Sequence, residues 1–172
     1  MLVAASVYTD GGVIGLNPSM IGGTWAFCYV DAGGKRRHDA AGIVRPADVG
    51  LPTITNNLTE LLAAVMALES LPEGWTGTMY TDSLITLYRV QGFQPNRRRP
   101  AKFNGIPGFL RDRLKIAVGR LGAFSLVLLG GHPTKADLAR GARLGGLPVS
   151  AHNVWCDRAC TAQARMVRRD YV

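Results

Sequence analysis

Three short apolar segments, separated by tight glycine-rich turns, precede any helical pattern in this chain. That order limits the fold more than any other feature, because strands joined by short turns pair antiparallel. Leu2 to Thr9 is apolar and small, and reads as a buried strand ending at Asp10. Gly11, Gly12, Gly15 and Asn17-Pro18 form a turn-rich stretch. Thr24 to Asp31 (TWAFCYVD) reads as the second strand, Gly33-Gly34 as a hairpin turn, and His38 to Val44 as the returning third strand.

The period then changes. Leu58, Leu61, Leu62, Val65, Met66 and Leu68 recur at helical spacing, and Pro72-Glu73-Gly74 ends the helix. Thr76 to Thr81 is a short strand that stops at Asp82, and Ser83 to Val90 is a helix. Gln91 to Gly108 reads as a loop, Phe109 to Leu121 as a helix, and Phe124 to Leu129 as a buried strand followed by Gly130-Gly131-His132. Residues 133–152 are polar and glycine-rich, and Asn153 is placed to cap a last helix running towards Arg168. The order β-β-β-α-β-α-α-β-α predicts an α/β fold. Its mixed five-stranded sheet has three antiparallel strands, then parallel ones, flanked by helices. A chain of 172 residues suits one domain, 1–172. The first strand opens the chain, so no separate binding domain is expected before it.

Charge is divided along the sequence. Residues 1–86 hold 4 basic and 8 acidic residues, a net of −4, and residues 87–172 hold 16 basic and 4 acidic, a net of +12. A basic half predicts a polyanionic partner, most simply nucleic acid. The acidic half would repel phosphate unless a metal stood between. No apolar run is long enough to span a bilayer, and MLVAASVYTDGG lacks the basic start of a signal peptide. Three cysteines, Cys28, Cys156 and Cys160, argue against a disulfide framework and fit a reducing cytosol, so a cytoplasmic location is expected; the chain is separately expected to be a monomer. His152, Cys156 and Cys160 would share a helix face. Without a fourth ligand at finger spacing they read as packed thiols and not as a zinc site.

Four carboxylates carry the chemistry. Asp10 and Asp82 each end a strand in the same words, YTDG at 8–11 and YTDS at 80–83. If the two strands are neighbours, the carboxylates emerge side by side, an arrangement that needs a divalent cation. Glu60 lies in Asn57-Leu58-Thr59-Glu60, which also fits a capping box with Asn57 as the cap. Asp157 falls four residues after Asn153, in the first turn of the last helix, where the helix dipole alone would favour it.

Taken together, YTDGG at 8–12, TNNLTELLAAVMALESL at 55–71, MYTDS at 79–83, LLGGH at 128–132 and NVWCDRAC at 153–160 resemble the type 1 ribonuclease H family along essentially the whole chain. The resemblance implies an endonuclease that hydrolyses the RNA strand of RNA–DNA hybrids and leaves 5′-phosphate and 3′-hydroxyl ends. It implies that Asp10, Glu60, Asp82 and Asp157 hold two Mg²⁺ ions, with Mn²⁺ as an alternative. Such ions, about 4 Å apart, would activate a water and stabilise the leaving oxygen. His132 matches the family's loop histidine and would move protons, with His152 as its rival.

On the substrate side the resemblance makes Gly11, Asn17, Asn56 and Asn57 candidates for minor-groove contacts to the 2′-hydroxyl, and Thr55 for a DNA phosphate. Arg97, Arg98, Arg99 and Lys102, flanked by Phe93 and Phe103, would hold backbone phosphates. Two departures from the family stand out. Leu84 occupies a position where many relatives carry a polar residue. His132 and Asp157 are separated by an inserted stretch, PTKADLARGARLGGLPVS, which brings Lys135, Arg140 and Arg143. The competing readings are a structure-selective DNA nuclease or junction resolvase of the same fold, and an inactive hybrid-binding module. The TNN element argues against the first and the whole carboxylate set against the second.

Overall fold

The early meander forms as its turns require. In the computed structural model, which describes residues 4–95, 102–143 and 146–169, β1 (Ser6–Val13), β2 (Gly23–Val30) and β3 (Arg36–Val44) pair antiparallel in sequence order. A one-turn helix α1 (Pro46–Val49) leads to α2 (Asn56–Ser70), and then β4 (Thr78–Thr81) returns to lie parallel to β1. Helices α3 (Leu84–Gln91) and α4 (Gly108–Gly119) precede β5 (Ser125–Leu128), which pairs parallel with β4. A short α5 (Lys135–Arg140) and the long α6 (Ala151–Arg169) complete the described elements. The sheet order is β3-β2-β1-β4-β5, the mixed arrangement expected from the sequence. Among the described residues no helix is long and apolar enough to cross a membrane.

Strand alternation divides the core into two. On one face Val7, Phe27 and Met79 pack with Leu58, Leu61, Val65 and Leu68 of α2 and Leu110 and Leu114 of α4. On the other, Tyr8, Ala26, Cys28 and Val30 pack with Cys156 and Cys160 of α6. Neighbouring residues on β1 and β2 therefore serve opposite layers, as a period of two demands. α2 is buried more fully than its leucine spacing predicts, since Ala63, Ala64 and Ala67 are also fully buried. Such a helix is covered on most sides, here by the sheet and by α4.

Two boundaries differ from expectation for clear reasons. β1 does not stop at Asp10: Gly11, Gly12 and Val13 go on pairing with Trp25, Thr24 and Gly23 of β2. On its other side β1 loses its partner at Thr9, which stands opposite Thr81, the last residue of β4. Asp10 is thus mid-strand towards β2 and at the edge towards β4. The stretch 133–152, expected as a plain connection, contains α5, capped by Thr134 in a capping box with Asp137.

Candidate active site

The parallel register Thr9–Thr81 sets Asp10 and Asp82 at the same level of the sheet, where β4 ends and the chain turns into α3. Glu60 arrives from α2, and its approach depends on Gly11. A Cβ at position 11 would overlap the carbonyl carbon of Thr59 and the amide nitrogen of Glu60, so only glycine lets the helix this close. Asp10, Glu60 and Asp82 each offer an oxygen within 4.8 Å of the others'. Asp10 and Glu60 are 6% and 5% exposed, so these charges meet largely away from water.

Burial, then the charges of Asp82 and Asp157, push the Asp10 carboxyl well above the usual range. Burial, then Asp10 and Asp82, push Glu60 well above it too. Burial also raises Asp82, against the pull of the Asn153 amide and of His132. Few groups compensate. The Gly11 N–H donates to Asp10 Oδ1 at 2.9 Å, and the Asn153 amide donates to Asp82 Oδ2 at 3.2 Å. Glu60 Oε2 is buried with no hydrogen-bond partner. A buried, orphaned carboxylate oxygen among other carboxylates suits a hard divalent cation, which takes oxygen ligands and cancels the repulsion.

Asp157 stands beside this trio and outside it. Its Oδ1 lies 4.0 Å from His132 Nδ1, and its side chain is 44% exposed. α6 begins at Ala151, so Asp157 lies in the second turn. The reading of Asp157 as a first-turn dipole partner, and of Asn153 as the cap, is corrected accordingly. Asn153 is buried in the helix, one turn before Asp157, and its amide reaches Asp82. The capping box of Asn57 with Glu60 is also corrected. Thr55 caps α2, accepting from the Leu58 N–H at 3.3 Å, which leaves Glu60 free of any capping duty.

In the comparisons, no protein-family model and no curated protein sequence matches the chain. Solved structures do. The N-terminal ribonuclease H domain of Rv2228c from Mycobacterium tuberculosis, solved as a fusion with maltose-binding protein, superposes with a TM-score of 0.63 at 13% identity, covering 98% of this chain and 100% of that one. Ribonuclease H1 from the halophilic archaeon Halobacterium salinarum superposes with a TM-score of 0.63 at 15% identity, covering 94% and 97%. The chain has the ribonuclease H fold.

Within this fold the two histidines part company. His132 follows β5 on an exposed turn and faces Asp157. His152 packs its ring on Tyr8, centroids 5.1 Å apart, and its carbonyl accepts from the Cys28 thiol. Burial pushes the His152 imidazole down. Of the two, only His132 stands within ion-pair distance of a described carboxylate. The thiols near His152 are free and buried, Cys156 with its sulfur 3.9 Å from Cys28 Sγ and Cys160 donating to the Asp10 carbonyl at 3.6 Å. The hydrogen bond with Cys28, then burial, raises Cys156, and burial, then the charge of Asp10, raises Cys160, which describes packed thiols.

The TNN end of α2 gathers the candidate substrate residues. Asn17 Oδ1 accepts from the Asn56 N–H at 3.2 Å, so the β1–β2 loop seals the start of the helix. Ser19 pins that loop: its hydroxyl donates to the Ile14 carbonyl and accepts from the amides of Ile21 and Gly22, and its backbone bridges Ile54. Asn57 is exposed, one turn before Glu60. Leu84 opens α3 with its side chain 45% exposed. Lys102 is exposed, while Arg97, Arg98 and Arg99 lie outside the described residues.

Arg89 is the residue that sequence reasoning missed. It is 5% exposed, and it donates to the carbonyls of Asn57 at 3.2 Å and Lys102 at 3.1 Å. It therefore ties the TNN turn to the segment carrying Lys102. The signal was present, because Thr86, Arg89 and Val90 fall at helical spacing on the buried side of α3.

Proposed function

We propose that this protein is an endonuclease that hydrolyses the RNA strand of RNA–DNA hybrids. The observation that carries the reading is the meeting of Asp10, Glu60 and Asp82, at the ends of paired parallel strands, in a chain with the ribonuclease H fold. Asp10, Glu60 and Asp82, completed by Asp157, would hold two Mg²⁺ ions, or Mn²⁺ in their place. Bound there, such ions supply an activated water and stabilise the charge that develops on the leaving 3′ oxygen. The products carry 5′-phosphate and 3′-hydroxyl ends.

The chain's own groups do the rest. Asn153 holds one oxygen of Asp82 by its amide and so orients that carboxylate. His132, on the open side of Asp157, takes up and passes protons at its imidazole nitrogens. Asn56, Asn57, Gly11 and the free amide N–H groups of Asn17 read the 2′-hydroxyl, which both donates and accepts. Thr55 and Lys102, with Arg97, Arg98 and Arg99, hold phosphates without regard to sequence.

Cleavage of matched RNA–DNA, DNA–DNA and RNA–RNA duplexes in Mg²⁺ tests this reading, with Asp82→Asn alongside. The expected result is cutting of the hybrid alone, lowered by about a hundredfold or more in Asp82→Asn. Equal cutting of the DNA duplex would move the assignment to a DNA nuclease of the same fold. Full activity in Asp82→Asn would remove the metal assignment.

A further inference from the structure

The stretch that follows His132 is fastened on both sides of that histidine. Upstream, the Gly130 N–H donates to the Pro148 carbonyl at 2.8 Å. The stem of Arg143 lies over Gly130, its Cδ 2.6 Å from where a Cβ would stand. Downstream, Asp137 Oδ2 accepts from both the N–H and the hydroxyl of Thr134, at 2.9 and 2.8 Å. Asp137 Oδ1 takes Arg140 at 2.5 Å. The arm then folds back on itself: Ala142 bridges Pro148, and the Val149 N–H donates to the Gly141 carbonyl at 3.1 Å.

Between these two fastenings His132 has a φ of 48°, the left-handed region that non-glycine residues seldom enter. Among the described residues it is the only non-glycine residue to do so. A conformation of that kind persists where its surroundings over-determine it. Gly131 adds a steric condition, since a Cβ there would come within 2.8 Å of Asp82 Oδ2.

We propose that Asp137 is a positioning residue which, with the Pro148 carbonyl, locks the turn from Gly130 to Thr134 and so holds His132 beside Asp157. The arm that follows His132 is then a brace for the proton-carrying histidine. This rests on the proposed hybrid cleavage for its kinetic consequence, though the brace itself is a property of the fold.

The test is a double-mutant cycle on hybrid cleavage with Asp137→Ala, His132→Ala and the double variant. Asp137→Ala is expected to lower kcat by about tenfold or more, the cost of a misplaced reacting group, with KM within about twofold. The double variant should match His132→Ala within about twofold, because Asp137 acts only through the histidine. Asp137→Asn, which keeps an acceptor for Thr134, should recover most of the rate.

Losses that multiply in the double variant, or an undiminished kcat in Asp137→Ala, would overturn the proposal. Backbone ¹⁵N relaxation gives a readout free of activity. The order parameter of His132 should stand near about 0.85 in the native chain and fall below about 0.6 in Asp137→Ala. A native value already that low would overturn the brace. If the native chain leaves hybrids uncut, the proposed function fails, and relaxation alone decides the brace.

Discussion

Removing one charge from the acidic cluster should stabilise the metal-free protein. The perturbation is Asp10→Asn, whose amide oxygen can still accept from Gly11. Oxygens within 4.8 Å of one another repel by about 3.5 kcal/mol per ionised pair at an effective dielectric near 20. Three such pairs total roughly 10 kcal/mol, as large as the whole stability of a typical domain. The metal-free fold therefore holds protons on this cluster to higher pH than free carboxyls do, which agrees with the raised carboxyls of Asp10, Glu60 and Asp82.

The sign of the pH effect follows. Carboxyls raised in the folded chain hold protons that the unfolded chain has already released. Stability in chelator should then be greatest below about pH 4, as far as this cluster alone is concerned, and fall as pH rises through the raised folded values. At about pH 8, with one proton still held in the cluster, a single ionised pair remains; Asp10→Asn relieves it and should gain about 3 kcal/mol, which for a chain of this size raises Tm by roughly 6–12 °C. Added Mg²⁺ should raise the native Tm and leave that of Asp10→Asn nearly unchanged. Thermal melts in chelator and in Mg²⁺ read both effects. A variant that melts at or below the native chain in chelator at this pH would refute the reasoning, because the cluster would then not be strained by its own charge.

Two further outcomes can be checked directly. His132→Ala should lower hybrid turnover by more than about tenfold, while His152→Ala, at a half-buried ring packed on Tyr8, should leave kcat nearly unchanged; the reverse ranking in steady-state kinetics would transfer the role to His152. Gly11→Ala should cost about 2 kcal/mol or more by urea unfolding, since its methyl group meets the backbone of Thr59 and Glu60, and Mg²⁺-induced stabilisation should shrink with it.

Much of this arrangement is legible in the sequence, for identifiable reasons. The repeated Tyr-Thr-Asp marks two strands of equal depth, and the register Tyr8–Tyr80 shows why the repeat matters. Early strands with tight turns and a later helical period determine the mixed sheet. Capping is where local reading fails. Asn57 and Asn153 are good caps in isolation, but Thr55 is better placed for α2, and α6 starts before Asn153 so that its amide can reach Asp82. Arg89 is invisible to charge counting because burial reverses the usual expectation for arginine. α5 is too short to show a period, although Thr134 and Asp137 at capping-box spacing announce its start.

The placement of β1 has a consequence for how the molecule is made. β1, synthesised before the other four strands of the sheet, ends in the middle of it, with β2 on one side and β4 on the other. Its β2 side can close at once through a local hairpin, but its β4 side, Ser6 to Thr9, waits until Thr78 to Thr81 have been synthesised. At roughly 5–20 residues per second that wait lasts several seconds. Throughout it Asp10 has no Asp82 beside it, and the nascent chain offers an open strand edge to any neighbour. Pairing of β4 therefore does two things in one event: it seals an open strand edge of the intermediate, and it creates the acidic cluster. Cation uptake should accordingly appear late in refolding, in step with the burial of β1 and not with the first formation of secondary structure.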